Sequence, residues 1–147
     1  MTILDEIAAY TSQRMTAEEE QVSTASLRRQ ALAMASAERE TNGGASPFRF
    51  SAVLAKPGLS FICEVKKASP SKGVIAEEFP YLDIAKSYEA AGAAATSCLT
   101  EPKWFMGSDA YLAEIAAETS VPVLRKDFVV CERMIYQAKV LGASAVL

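Results

Sequence analysis

From residue 61 onward the chain repeats one pattern: a short apolar run with strand propensity, a segment of helical periodicity, then another apolar run. The strand-like runs fall near residues 61–65, 95–99, 121–125 and 144–147. Between them lie three helical stripes: Leu82, Ala85 and Tyr88; Leu112, Ile115 and Ala116; and Met134, Ile135, Ala138 and Leu141. Gly92 and Gly142, each followed by alanine, stand where a helix closes in the left-handed conformation, and Ser108 is placed to cap the middle helix. Parallel strands need a crossover that antiparallel hairpins do not, so this alternation predicts parallel βαβ units. An open doubly wound sheet and a closed barrel both fit the pattern. The last run, SAVL, stops in mid-strand with no covering helix, so the polypeptide is expected to be the first part of a longer protein.

The first 47 residues differ in character. Ile3, Leu4, Ile7 and Ala8 share one face of a short helix over residues 3–13, and Thr16 followed by Glu19 has the form of a capping box. A second helix over about residues 24–40 carries Leu27, Ala31, Met34 and Ala35 along one stripe. TNGGASP, residues 41–47, is turn-rich, and Pro57-Gly58 marks a further turn. The expected organisation is a helical arm, 1–47, packed on one main body, 48–147.

A chain of 147 residues can bury a core of its own. Fifteen Lys and Arg against eighteen Asp and Glu give a net charge of -3 without a basic run, which argues against nucleic acid and anionic membrane as partners. No apolar stretch approaches the roughly 18 residues of a spanning helix, and the acidic, amphipathic N-terminus lacks the layout of a signal peptide, so a cytoplasmic location is expected. Cys63, Cys98 and Cys131 have no metal-binding spacing and read as small buried hydrophobes. Histidine is absent from these residues, which excludes a histidine-bound metal here and leaves acid–base chemistry to Lys, Glu, Asp, Tyr or Cys.

In parallel α/β folds ligands bind at the C-terminal ends of the strands. The first end supplies Glu64, Lys66, Lys67 and the loop Ser69-Pro70-Ser71-Lys72-Gly73; the second Thr100, Glu101, Lys103, Trp104 and Phe105; the third Arg125, Lys126, Asp127 and Phe128. Strand alternation puts Glu64 and Lys66 on one face and Val65 on the other. Such a pair is either a structural ion pair or half of a catalytic one. Lysines recurring at three strand ends would together attract carboxylate or phosphate, while any one of them taken singly also reads as a solvated surface lysine. SPSKG lacks the form of a phosphate loop and predicts only a tight polar loop. Trp104, Phe105 and Phe128 fit either a satellite core or the apolar wall of a pocket for a flat ring.

EVKKASPSKG, LTEPKWFMGS and PVLRKDF, in this order and spacing, closely resemble the indole-3-glycerol phosphate synthase family, and the likeness extends over essentially the whole chain. It implies a (βα)8 TIM barrel, of which these residues would form the first three βα units and the start of strand 4, with an N-terminal helical arm. The implied reaction closes the pyrrole ring of a phosphorylated, anthranilate-derived substrate with loss of carbon dioxide and water, and uses no cofactor or metal. The resemblance makes Lys126 a general acid, Lys66 a group for the substrate carboxylate and for proton transfer, and Glu64 the carboxylate that orients it. It puts Ser69, Phe105 and Phe128 at substrate-binding positions. Trp104 stands where the family is expected to have tyrosine.

The family's second catalytic glutamate, its asparagine and serine, and its phosphate site belong to later strands, so the 147 residues alone are expected to be inactive. Two other readings remain: a Schiff-base lyase with Lys126 as nucleophile, and a non-catalytic half-barrel that self-associates through open strand edges.

Overall fold

The computed structural model describes residues 2–41 and 48–147, which form two compact units: one from the N-terminal 47 residues with Phe128–Val140, the other from Phe48–Asp127 with Leu141–Leu147. The expected turn at TNGGASP lies outside the described residues apart from Thr41.

The first unit is helical: α1 (Ile3–Gln21), α2 (Thr24–Thr41) and, from the later part of the chain, a helix over Glu132–Val140. The helix expected over 3–13 runs on to Gln21, because no glycine or proline interrupts it. Its capping box is Thr2 with Asp5. The box expected at Thr16 and Glu19 does not form: the Thr16 hydroxyl donates to the Ser12 carbonyl one turn back, and Thr16 stays helical. The Glu19 side chain instead caps the start of α2, accepting from the Thr24 N–H at 2.9 Å and the Thr24 hydroxyl at 2.5 Å. Arg133, only 5% exposed, closes the end of α1, donating to the Glu18 and Val22 carbonyls at 3.1 and 2.6 Å and pairing with Glu19 at 2.9 Å. Ile7, Leu27 and Ala31 are buried as their spacing predicts, whereas Ile3 and Leu4 stay exposed and Ala8, Met34 and Ala35 are half-buried; Met15, beyond the expected end of the first helix, is buried as well.

The second unit opens with a single turn and a half of helix, α3 (Arg49–Leu54), which has no buried residue and left no stripe in the sequence. The Pro57-Gly58 turn follows, Gly58 at φ 98°. Next come β1 (Ile62–Val65), the hairpin strands β2 (Ala68–Ser69) and β3 (Gly73–Val74), α4 (Tyr81–Ala90) and β4 (Ala95–Leu99). The series continues with α5 (Asp109–Glu118), β5 (Val123–Lys126), α6 (the Glu132–Val140 helix, in the first unit) and β6 (Ala145–Val146). Gly92 and Gly142 take φ 88° and 91°, and the Ser108 hydroxyl accepts from the Ala110 N–H, so all three helix-end signals hold.

The sheet is parallel throughout, in the order β1-β4-β5-β6. A doubly wound sheet reverses its order at a switch point; here each strand lies beside its predecessor, as in a barrel wall. β4 is buried along its whole length, and Ala85, Leu112 and Ile115 are fully buried. Between α4 and α5, Tyr81 packs on Tyr111 with ring centroids 4.1 Å apart, its hydroxyl donates to Glu114 at 2.5 Å, and Lys86 pairs with Glu118.

Only Cys98 is a buried cysteine; Cys63 is half-buried and Cys131 exposed, so the expectation of three small buried hydrophobes is corrected. Cys131 falls before the first turn of α6, where the chain is still outside the apolar stripe. Burial pushes the Cys98 thiol up to about 12, which leaves it protonated and inert at neutral pH. Alkylation with iodoacetamide should modify Cys131 first, Cys63 more slowly and Cys98 only after unfolding; early mass-spectrometric labelling of Cys98 would contradict this packing.

The Thr24 hydroxyl and N–H, with Arg133 adding to them, hold the Glu19 carboxyl below its ordinary 4.5. A carboxyl depressed by folding stabilises the native state above its unfolded value, and that contribution is lost as pH falls below 4.5 through the folded value. Thermal unfolding of Glu19→Gln should therefore fall less steeply on acidification than that of the parent chain; identical slopes would remove the cap.

Candidate active site

The site is built at the C-terminal ends of β1, β4 and β5, and the pleat decides which side chains face it. Glu64 is in register with Ser97, Ser97 with Leu124, and Leu99 with Lys126. Residues in register across a parallel sheet share a face, and so do residues two apart on one strand. Glu64, Ser97, Leu99, Leu124 and Lys126 therefore lie on one face. Lys66, two residues beyond Glu64, joins them: its ammonium is 2.9 Å from Glu64 Oε1, both side chains about one-third exposed. Lys66 stands two residues past the Glu64 row and Lys126 is paired two residues past it, so the two lysines sit at one level, two strand spacings or about 10 Å apart at the backbone.

The opposite face carries a different set. Val65, Cys98 and Arg125 are in register there, all buried. Arg125 is wholly buried: its Nε donates to Thr100 Oγ1 at 3.1 Å and its Nη2 to Asp109 Oδ1 at 3.0 Å, and it lies 3.5 Å from Asp127 Oδ2. The Thr100 hydroxyl, which accepts from Arg125, donates to Asp127 at 2.7 Å. Residues 125 and 127 are thus anchored behind the sheet, and Lys126 between them must project from the front.

Loops complete the rim. Ser69 sits in the β2–β3 hairpin, paired with Gly73 at φ 64°, so the predicted tight polar loop is a two-stranded hairpin. Phe105 and Trp104 are half-buried in the β4–α5 loop, with the Lys103 ammonium 4.5 Å from the centre of the Trp104 ring. Beneath that loop Glu101 is fully buried and accepts from three backbone N–H groups. Phe128 is half-buried and belongs to the first unit.

Glu64, Lys66 and Lys126 are thus brought onto one face, and Ser69 and Phe105 stand on loops at the same strand ends. Sequence reasoning missed Arg125, Asp109, Asp127 and Glu101 as organisers. Their signal was present: a charge in or directly after a run otherwise destined for burial requires partners. Among the described residues no group of three or more His, Cys, Asp or Glu is gathered as a metal would need, and no helix is long and apolar enough to cross a membrane.

The family model described as indole-3-glycerol phosphate synthase matches residues 4–147. The indole-3-glycerol phosphate synthase of Ruminiclostridium cellulolyticum is 48% identical over 145 residues, covering 99% of this chain and 53% of the relative. Its counterpart from Lachnoclostridium phytofermentans is 44% identical over 148 residues, covering 99% and 55%, and that from Endomicrobium trichonymphae is 47% identical, covering 99% and 53%. The chain spans about half the length of the curated relatives it matches. Nearly every residue, from the first helix to the last strand, falls within the match, and the chain belongs to the indole-3-glycerol phosphate synthase family.

Proposed function

We propose that the complete protein is an indole-3-glycerol phosphate synthase acting in the cytoplasm on 1-(2-carboxyphenylamino)-1-deoxyribulose 5-phosphate, without cofactor or metal. The observation that carries this reading is the shared face of Glu64, Lys66 and Lys126, with Glu64 and Lys66 paired at 2.9 Å. In the reaction the aromatic carbon bearing the carboxylate bonds to the ribulose carbonyl carbon. The carboxylate leaves as carbon dioxide, its electron pair restoring the aromatic ring; the former carbonyl oxygen, now protonated, departs as water while the adjacent methylene carbon loses a proton, and that C–H electron pair becomes the double bond of the pyrrole. An ammonium that protonates that oxygen makes the carbon electrophilic, and this is the role of Lys126 as general acid. Lys66 holds the substrate carboxylate and serves proton transfer, and Glu64 keeps its ammonium in place. Ser69 contacts the ligand, while Phe105 and Phe128 line the aromatic ring.

In this reading residues 1–47 are a helical arm, and residues 48–147 are the first three βα units and the start of strand 4 of a (βα)8 barrel. The unreversed order of the parallel sheet supports that assignment. In the full-length protein, Lys126→Ala should lower kcat by about 10²-fold or more, followed through the fluorescence of the indole product; near-parent turnover would remove its role. Because the chain covers about half of its relatives, the 147 residues alone should show no turnover, and product formation by them would overturn this part of the reading.

The 147-residue chain taken alone also associates with itself. Among the described residues β1 and β6 each have one partner in the sheet, and Ile62 and Val146 on those edges are 45% and 37% exposed. Light scattering should find dimers or larger species, and a well-behaved monomer would contradict it.

A further inference from the structure

Glu101 is fully buried, yet its carboxylate meets three consecutive backbone donors of its own loop. Oε1 accepts from the Lys103 N–H at 2.9 Å, and Oε2 from the Trp104 and Phe105 N–H groups at 2.7 and 3.0 Å. The Glu101 carbonyl accepts from the Gly107 N–H at 2.8 Å, so one residue holds the loop at three successive positions and again at its end. Gly107 is pressed against β4: a Cβ there would lie 2.7 Å from the Leu99 carbonyl carbon and 2.8 Å from that of Thr100. Between these two fixings Met106 takes φ 51°, a left-handed conformation that a methionine keeps only where its surroundings impose it.

A simple connection from strand to helix would leave these amides to water, at no cost in desolvation. Setting a carboxylate under them, out of water, costs free energy that the three charge-assisted bonds must offset. The result is a stretch of loop backbone without helix or strand of its own but with fixed amide directions. Lys103, Trp104 and Phe105 leave that stretch in turn.

We propose that Glu101 is a positioning residue that sets the aromatic rim of the site, fixing where the rings of Trp104 and Phe105 stand. It touches no reacting atom; it acts on substrate affinity through the two rings. The part that concerns substrate rests on the synthase reading, whereas the part that concerns the loop does not.

Trp104 is the chain's one tryptophan, so it reports on the loop directly. In the parent chain, the amides of Lys103, Trp104 and Phe105 should exchange with deuterium about 100-fold more slowly than unstructured amides, despite lying outside every helix and strand. Exchange at the unstructured rate would overturn the proposal without any variant. Glu101→Gln turns one acceptor into a donor facing N–H groups. It should abolish that protection and shift Trp104 emission and acrylamide quenching, with far-UV circular dichroism unchanged. An unaltered Trp104 signal in folded Glu101→Gln would also overturn it.

In the full-length enzyme, Glu101→Gln should raise KM about tenfold while kcat stays within about threefold, the signature of lost uniform binding. A fall in kcat at unchanged KM would overturn the affinity role. If the loop signals change as expected but neither kinetic constant moves, Glu101 positions the loop and the assignment of the aromatic wall fails instead.

Discussion

A single guanidinium holds the working ends of two strands and the start of a helix. Arg125, wholly buried on the back of the sheet, binds Thr100 at the end of β4, Asp109 in the first turn of α5 and Asp127 just past β5. Removing one partner from a buried charge group typically costs about 3–5 kcal/mol, against a total stability of about 5–15 kcal/mol for a domain. On that scale the group decides whether the unit folds, which is more than any exposed ion pair contributes. Lys86–Glu118, half-exposed on α4 and α5, belongs to the weaker kind.

The front of the sheet inherits its order from the back. Side chains alternate along a strand, so fixing residues 125 and 127 behind leaves Lys126 one direction to point. The same parity puts Val65 and Cys98 behind and Glu64 and Lys66 in front, and the register of β1, β4 and β5 carries the rule across the sheet. Closed and accessible charges are thereby separated by the pleat. Behind it an arginine and two aspartates are closed into one network; in front a lysine and a glutamate stay one-third exposed, accessible to a ligand. The back-face thiol of Cys98, pushed up to about 12 by burial, stays protonated at neutral pH.

Much of this was legible in the residues. The alternation of apolar runs and helical stripes foretold the parallel strands, and Gly92, Ser108 and Gly142 foretold where the helices begin or end, because each of these signals is local. Glu64 and Lys66 were legible as a pair for the same reason: a spacing of two needs no tertiary knowledge. The Thr16–Glu19 box was misread because the same residue types cap a helix or sit inside one, and only the unbroken run of helix formers to Gln21 decides between them. α3 had too few residues for a period to show. Arg125 and Glu101 looked like strand-end charges that solvent or substrate would meet. Their partners, Asp109 and the amides of residues 103–105, become neighbours only when the chain turns back on itself. The barrel reading rested on family motifs; what the structure adds is a parallel sheet whose strand order does not reverse.

Lys66 and Lys126 project from one face of the sheet at one level. A bifunctional amine reagent whose spacer is no longer than about 10 Å, two strand spacings, tests this directly in the folded chain, with the linked peptides identified by mass spectrometry. A Lys66–Lys126 cross-link should form under native conditions and disappear in denaturant. Both lysines modified singly, with no link between them, would contradict it.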